Sequence, residues 1–252
     1  MGKVDLHSHL IPGIDDGVRS LDDALHVIDG LVSRGYDRIL TTPHQVDYWR
    51  PQPEVMARGL WEVQEAVAVR GWPVRIGMGA ENHVDEAFLK RKQEGRLLTY
   101  GLAGKAILLE LSPFSPPPFF QQLVFDLRTA GVLPVLAHPE RYPWFIGWGQ
   151  EKIDTLRHAG CWLQIDLGSF SGSYGRTVRK AARQLVKWGA VDLVASDLHG
   201  PDKLPKLVDK GWKALAALAE ESDLEQWSTH RPGRIFDEAC RGPWGSEPVL
   251  PG

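Results

Sequence analysis

Apolar runs alternate with amphipathic stretches along most of this chain. The runs KAILLEL (105–111) and VLPVLA (132–137) do not alternate polar and apolar positions, which is typical of strands buried on both faces of a parallel sheet. Between such runs, apolar residues recur at helical spacing, as at Leu21, Leu25 and Ile28. About seven strand-then-helix units in series therefore predict a parallel sheet with helices outside it.

The limits of these units follow from turn-forming and capping residues. Ser20 is expected to cap the first helix, and Gly71 to end the second. The predicted strands cover residues 3–7, 38–42, 74–81, 105–111, 132–137, 161–167 and 191–196. The predicted helices cover residues 21–35, 53–70, 85–95, 119–130, 151–159, 176–188 and 205–219.

The chain length decides between two ways of arranging these units. At 252 residues, closure into a barrel is favoured over an open, doubly wound sheet, since α/β barrels of roughly 250 residues form one domain. We expect a single domain over residues 1–240. The Gly- and Pro-rich residues 241–252 are expected to form a loose tail.

Composition narrows the class of protein. Hydrophobic residues make up 43% of the chain and charged residues 24%, which is ordinary for a globular protein and excludes disorder as the main state. A net charge of −3 supplies no basic field for nucleic acid. No apolar stretch approaches the roughly 18–20 residues of a membrane span, and the first residues lack the apolar core of a signal peptide. We therefore expect a cytoplasmic protein whose two cysteines are reduced.

Residues with metal-binding chemistry concentrate where predicted strands end. Five of the nine histidines occupy such positions, and the other four fall in predicted helices or loops. The carboxyl ends of parallel strands share one face of a barrel, so these side chains are expected to converge. Imidazoles and carboxylates suit Zn, Mn or Fe, and the set is large enough for two or three divalent ions. The candidate ligands are His7, His9, Asp16, His44, Glu81, Glu110, His138, Asp197 and His199.

Several neighbouring residues admit two interpretations. For Asp15, in the sequence Asp15-Asp16-Gly17, a turn role and a ligand role are equally compatible with the sequence. Asp5 and Asp166 are expected to be structural or to orient ligands. The ten tryptophans are expected to serve in packing and at the surface.

Seven short segments carry a resemblance to a known family. In chain order they are DLHSHLIPGIDDG (5–17), TTPH (41–44), GAEN (79–82), LLEL (108–111), LAHPERY (136–142), GSFSGSYG (168–175) and ASDLH (195–199). They resemble the PHP (polymerase and histidinol phosphatase) superfamily, and more narrowly the bacterial capsular-polysaccharide tyrosine phosphatases of the CpsB/CapC/YwqE type. The resemblance spans residues 4 to about 200.

The resemblance implies a distorted (β/α)7 barrel of TIM type with two to three divalent metal ions, Mn foremost, with Fe, Zn, Co or Mg as alternatives. It implies that the nine candidate ligands hold these ions. It further implies that Arg141 contacts the phosphate. Members of the family carry a second basic residue shortly after the DxH motif; here that region has no arginine, and Lys203 is expected to take its place in binding the substrate.

The implied activity is hydrolysis of phosphotyrosine on a bacterial tyrosine autokinase of capsule or exopolysaccharide synthesis. We expect metal-activated hydroxide to attack phosphorus, with Arg141 neutralising the phosphoryl oxygens and His199 or His44 assisting. Neither cysteine begins a Cys-x5-Arg loop, so a thiolate mechanism has no support. The alternatives are histidinol-phosphate phosphatase, a phosphodiesterase or nuclease-like enzyme, and a non-catalytic metal-binding regulatory module. A homo-oligomer is compatible with the family resemblance.

Overall fold

The strands of the protein pair only in parallel within the part of the chain that its computed structural model describes, which is residues 1–46, 48–101 and 104–241. The strands are β1 (Lys3–Asp5), β2 (Tyr36–Thr41), β3 (His44–Gln45), β4 (Arg75–Met78), β5 (Glu81–His83), β6 (Ala106–Glu110), β7 (Leu133–Ala137), β8 (Trp162–Asp166) and β9 (Leu193–Ala195). The predicted α/β fold with a parallel arrangement is confirmed.

Helices connect successive strands except between β2 and β3 and between β4 and β5. They are α1 (Leu21–Val32), α2 (Pro53–Arg70), α3 (Glu86–Gln93), α4 (Phe120–Thr129), α5 (Pro143–Gly147), α6 (Gly149–His158), α7 (Leu167–Ser171), α8 (Arg176–Lys187), α9 (Lys210–Ala216), α10 (Glu221–Glu225) and α11 (Arg231–Ala239). As predicted, Ser20 caps α1 by accepting a hydrogen bond from the Asp23 amide, and Gly71 ends α2 in the left-handed conformation.

The strands form two sheets, in the orders β1-β2-β4 and β3-β5-β6-β7-β8-β9. The predicted strand over 74–81 is therefore two strands, β4 and β5. Pro43 lies opposite this break and has no N–H to donate to a ladder. Gly79 lies in the break itself, where a Cβ atom would come within 2.8 Å of the Tyr100 ring.

Residues just beyond β1 connect the two sheets. Ser8 forms a parallel bridge with Leu198, which follows β9, and its carbonyl accepts a 2.7 Å hydrogen bond from the Thr42 amide, which follows β2. Below this bridge, the buried Asp5 carboxylate accepts hydrogen bonds from the Ser196 amide and hydroxyl. Asp5 thus has the structural role expected for it, and closure into a seven-unit barrel stays a prediction.

The last part of the chain follows the prediction in part. The helix expected over 205–219 is present from Pro205 to Ala216, as a turn of π-helix, Pro205–Asp209, that continues into α9. Residues 221–239, for which no element was predicted, form α10, a turn of π-helix over Gln226–His230, and α11. The predicted tail, 241–252, lies outside the described residues apart from Arg241.

One of the two apolar cores lies among the strands. Its contacts show that the amino-terminal ends of the strands are covered and that their carboxyl ends are available for a site. This core includes Val4, Leu40, Leu108, Val135 and Leu193 from the strands, with Ile235 and Phe236 of α11 packed against them. Because α11 contacts the starts of the strands, their amino-terminal ends are covered. The carboxyl ends carry the buried polar residues. No described helix is both long enough and apolar enough to cross a bilayer.

Candidate metal centre

The nine candidate ligands converge at the carboxyl ends of the strands. Their ligand atoms fall into four overlapping groups, and within each group the atoms lie within 4.8 Å of one another. The groups are His9, Asp16, His44 and His199; His7, His9 and Asp197; His7, Glu81 and His138; and His44, Glu81 and Glu110. Since residues recur between groups, the cluster offers several adjoining positions for ions.

Glu81 lies at the centre of this cluster and is 1% exposed. Its Oε2 atom lies 2.9 Å from His44 Nδ1, 3.2 Å from His7 Nε2 and 3.5 Å from His9 Nε2. All four of these atoms are buried without a hydrogen-bond partner. Buried polar atoms are almost always satisfied, so this donor set fits divalent cations, which would satisfy them together.

The outer nitrogens of three histidines are held in place by hydrogen bonds. His7 Nδ1 donates to Gln164 Oε1 at 2.8 Å, and His199 Nδ1 lies 3.0 Å from the Asp197 carbonyl. His9 Nδ1 donates to Asp15 Oδ2 at 2.8 Å. Each contact leaves Nε2 directed into the cluster, which is the arrangement that fixes the tautomer of a metal-binding histidine.

Asp15 thus lies beside the cluster with both oxygens engaged. Oδ1 accepts a hydrogen bond from the Gly17 amide at 3.0 Å, and Oδ2 accepts from the His44 amide at 3.0 Å as well as from His9. Asp15 therefore stabilises the turn and also orients His9. Neither the turn role nor the ligand role considered from the sequence describes it fully.

Two of the candidate ligands have a strained backbone. Among the described residues, His138 and Asp197 are the non-glycine residues with positive φ, at 34° and 51°. This conformation is unfavourable for L-residues and concentrates at functional sites, where surrounding structure holds it. Here it directs both side chains into the cluster directly after β7 and β9.

The cluster is a dense array of opposite charges. Burial lowers the pKa of His7, but the charges of Glu81 and Asp197 outweigh it and raise this pKa to about 10. Burial likewise opposes the charge on His44, yet Glu81 and Asp16 raise its pKa to about 12. Burial also disfavours the Glu81 carboxylate, and the charges of His7 and His44 nevertheless hold its pKa well below the usual range. Divalent ions would compete with protons for the nitrogens of these histidines.

Arg141 lies at the edge of the cluster, in the turn Pro139–Arg141. Its Nη2 atom lies 2.6 Å from Asp197 Oδ2 and also pairs with the buried Asp166. The Tyr174 ring covers its guanidinium at 3.8 Å. Asp166 accepts a 2.7 Å hydrogen bond from Gln164 Nε2, so one network connects His7 to Arg141. Asp166 therefore orients other site residues, as the sequence suggested.

Glu140 supports this turn from below. It accepts hydrogen bonds from the Asp166 amide and the Ser169 hydroxyl. Burial, together with the nearby charge of Asp166, raises its pKa to about 7.

A cavity of about 260 Å³ opens above the cluster. Candidate ligands and Arg141 line it together with Val46, Tyr48 and Trp49. Trp49 stacks on the His44 ring at 5.7 Å, and the Tyr48 side chain, 76% exposed, contacts Trp49 edge-on. The expectation that tryptophans serve in packing and at the surface did not place Trp49 at the site, although its position soon after a strand-end histidine was a usable signal.

Two further placements differ from expectation. Lys203 is absent from the lining of this cavity, and its ammonium lies 2.8 Å from the neighbouring Asp202 carboxylate. His83 lies in β5 and not in a helix or loop, with Nδ1 3.1 Å from Glu110 Oε2. His83 therefore holds one oxygen of a candidate ligand.

The chain belongs to the CpsB/CapC family of capsular polysaccharide synthesis, whose family model matches residues 3–237. This confirms the resemblance inferred from the seven sequence segments. The relatives include the tyrosine-protein phosphatase YwqE of Bacillus subtilis (strain 168), 28% identical over 78% of this chain and 77% of its own length. They also include the tyrosine-protein phosphatase CpsB of Streptococcus pneumoniae, 24% identical over 92% of this chain and 98% of its own length.

Solved structures support the same fold. A chain from the crystal structures of YwqE from Bacillus subtilis and CpsB from Streptococcus pneumoniae, described as unique metal-dependent tyrosine phosphatases, superposes with a TM-score of 0.81. It is 23% identical and covers 99% of both chains. A phosphotriesterase homology protein from Escherichia coli, with phosphate in its active site, matches with a TM-score of 0.56 and 13% identity over 92% of this chain and 98% of its own.

Proposed function

We propose that this protein is a metal-dependent phosphomonoester hydrolase that removes phosphate from phosphotyrosine in a protein, foremost a bacterial tyrosine kinase of capsule or exopolysaccharide synthesis. The observation that carries this proposal is the overlap of four ligand groups, two of which share Glu81 with its unsatisfied Oε2 atom, with Arg141 at their edge. The names of the relatives YwqE and CpsB support the choice of phosphotyrosine.

The nine candidate ligands would hold two to three divalent ions, with Mn as the first choice and Fe, Zn, Co or Mg as alternatives. Such ions, when bound, supply an activated water nucleophile near neutral pH and stabilise charge on the phosphoryl oxygens. The side chains of His7, Glu81, His138 and Asp197 are almost fully buried, so they would hold the ions away from bulk water.

Arg141 would bind the transferred phosphoryl group. Its guanidinium is held at the cluster by Asp197 and Asp166 and is covered by the Tyr174 ring. A guanidinium in fixed orientation matches the geometry of phosphate oxygens and neutralises their charge through the transition state.

The aromatic side of the cavity would receive the tyrosyl ring. Trp49 and Tyr48 line the same cavity as Arg141, and an aromatic ring stacks favourably on such side chains. A phenolate leaving group has a pKa of about 10, so it needs less protonation than an alkoxide. His199 and His44 both lie 3.3 Å from Asp16 at the more exposed end of the cluster, where whichever of the two does not hold an ion would donate a proton to the leaving oxygen.

The scaffold for this site would be a distorted (β/α)7 barrel. Three strands of that barrel would be β1 with residues 6–9, β2 continued by β3, and β4 continued by β5. The remaining four would be β6 to β9. The Ser8–Leu198 bridge and the Asp197 amide donating to the His7 carbonyl support closure between the first and last strands.

Metal content and activity measured together test the proposal. Purified protein should contain two to three divalent ions, hydrolyse p-nitrophenyl phosphate, lose this activity to a chelator and regain it with Mn²⁺. His7→Ala and Asp197→Asn should lose metal and activity together. His158→Ala, which replaces an exposed histidine on α6, is the matched control and should change neither.

Substrate comparison separates the alternatives. Turnover on a phosphotyrosine peptide should exceed turnover on histidinol phosphate and on a short oligonucleotide. A preference for histidinol phosphate or the oligonucleotide would replace the tyrosine phosphatase with another phosphoesterase. Bound metal with no hydrolysis of any ester would favour a regulatory module. A cytoplasmic location and a homo-oligomer stay predictions.

A further inference from the structure

Helix α8 carries a concentration of positive charge that the proposed reaction does not use. Its twelve residues include five cations and no carboxylate. All five are exposed, and none of them pairs with a carboxylate among the described residues. They are Arg176, Arg179, Lys180, Arg183 and Lys187. The whole chain has a net charge of −3, so this positive field is local.

Four of these cations share one face of the helix. Arg176, Lys180, Arg183 and Lys187 are spaced by four, three and four residues, which aligns them along one side. We call these four residues the basic stripe. At about 1.5 Å per residue, the stripe extends over roughly 16 Å.

The basic stripe begins at the edge of the candidate metal centre. Helix α8 packs against the turn Pro139–Arg141, and Gly175, its N-cap, directly follows Tyr174. The Tyr174 ring covers the Arg141 guanidinium at 3.8 Å. One residue, Gly175, therefore separates Tyr174, which covers the proposed phosphate contact Arg141, from the first cation of the stripe.

We propose that the basic stripe binds an acidic peptide segment that flanks the phosphotyrosine of the protein substrate. This inference rests on the proposed phosphatase function. An extended peptide advances about 3.3 Å per residue, so the stripe matches roughly five residues of substrate. Acidic side chains in this stretch would face the four cations while the phosphotyrosine occupies the cavity beside Arg141.

The surroundings of α8 favour a peptide over a membrane surface. Helices that bind at a bilayer interface insert a face of large apolar residues beneath their cations. The apolar residues Ala181, Ala182 and Leu185 of α8 are buried against the protein and its two valines are half-buried, and its exposed positions carry Arg, Lys and Thr. The exposed side of the helix offers charge and little that would enter a bilayer.

The test compares two substrates in the full chain. One is a phosphotyrosine peptide with Asp and Glu flanking the phosphotyrosine, and the other is p-nitrophenyl phosphate, which cannot reach the stripe. In the double variant Lys180→Glu/Arg183→Glu, kcat/KM for the acidic peptide should fall about tenfold or more at low salt. It should stay within about twofold for p-nitrophenyl phosphate, which also shows that the variant is folded. The peptide effect should shrink as salt rises, since screening at about 0.15 M acts over roughly 8 Å.

Two controls give the result its meaning. Lys105→Glu/Arg234→Glu makes the same change of charge at exposed residues near the amino-terminal ends of the strands, and it should leave both substrates unaffected. A peptide with Asn and Gln in place of its acidic residues should be hydrolysed equally by wild type and by Lys180→Glu/Arg183→Glu.

The outcomes separate the two proposals. Unchanged kcat/KM for the acidic peptide in Lys180→Glu/Arg183→Glu, with p-nitrophenyl phosphate hydrolysis intact, overturns peptide binding by the basic stripe and leaves the phosphatase proposal in place. Binding of wild type to phosphatidylserine vesicles that this variant loses, with peptide kinetics unchanged, overturns it in favour of a membrane. Absence of hydrolysis of p-nitrophenyl phosphate by the metal-loaded wild type overturns the phosphatase itself.

Discussion

Replacing Asp15 distinguishes a residue that orients a ligand from a residue that is one. Asp15 makes three hydrogen bonds, with His9 Nδ1 at 2.8 Å and with the amides of His44 and Gly17 at 3.0 Å each. Asp15→Ala removes all three. Asp15→Asn retains a carbonyl oxygen for His9 and His44 but loses the negative charge and faces the Gly17 amide with a second donor.

The expected magnitudes follow from these contacts. Loss of a residue that orients a metal-binding histidine costs about 10- to 100-fold in metal affinity or activity, which is roughly 1.4–2.7 kcal/mol. Asp15→Ala should fall in that range, and Asp15→Asn should lose less because its bond to His9 persists. His9→Ala, by contrast, removes a nitrogen shared by two ligand groups and should abolish metal retention.

The assay is the Mn²⁺ concentration that restores half of the p-nitrophenyl phosphate activity in the chelated protein, read together with metal content. Loss of all bound metal in Asp15→Ala, equal to that in His9→Ala, would mean that Asp15 is itself a ligand. An Asp15→Ala protein with unchanged Mn²⁺ dependence would refute the orienting role.

Substitutions at three further residues, Gln164, Arg141 and Trp49, test other parts of the site. Gln164→Leu leaves the buried His7 Nδ1–H without its acceptor, so it should lower the free energy of unfolding by about 1–3 kcal/mol in chemical denaturation and weaken Mn²⁺ binding; an unchanged midpoint would contradict this. Arg141→Ala should raise KM for p-nitrophenyl phosphate at least tenfold with metal content retained, and Arg141→Lys should restore little because an ammonium lacks the bidentate fork; full rescue by lysine would argue against it. Trp49→Ala should raise KM for aryl phosphates about three- to tenfold more than for an alkyl phosphate, while Phe114→Ala, at another exposed aromatic residue, changes neither; equal effects on both substrate types would exclude stacking.

The hydrophobic periodicity of the sequence predicted most helices and strands, because each of them keeps the same side toward the core along its whole length. The limits of α2, Pro53–Arg70, match the prediction because Pro opens the helix and Gly71 ends it. Residues 231–239 escaped prediction because Pro232 and Gly233 suggest a break. In the structure Pro232 lies in the first turn of α11, where it needs no N–H, and Gly233 lets the helix approach Arg38, whose Nη1 atom would lie 2.8 Å from a Cβ.

The candidate site divides along similar lines. Residues at strand ends were identifiable because the parallel topology brings those ends together. His7 and His138 could therefore be assigned to the site without knowledge of tertiary contacts. Gln164 and Tyr174 were not identifiable in this way. Gln164 acts through contacts with His7 and Asp166, and Tyr174 acts through its contact with Arg141, and no pattern along the chain encodes such contacts.

The ion pairs of Arg141 have a consequence for turnover. Asp166 and Asp197 already compete for the guanidinium that would hold the phosphoryl group. Under the proposed function, inorganic phosphate would have to keep that contact after hydrolysis against two carboxylates fixed beside it. Asp166 and Asp197 would thereby compete with the product, which would favour phosphate departure and weaken product inhibition.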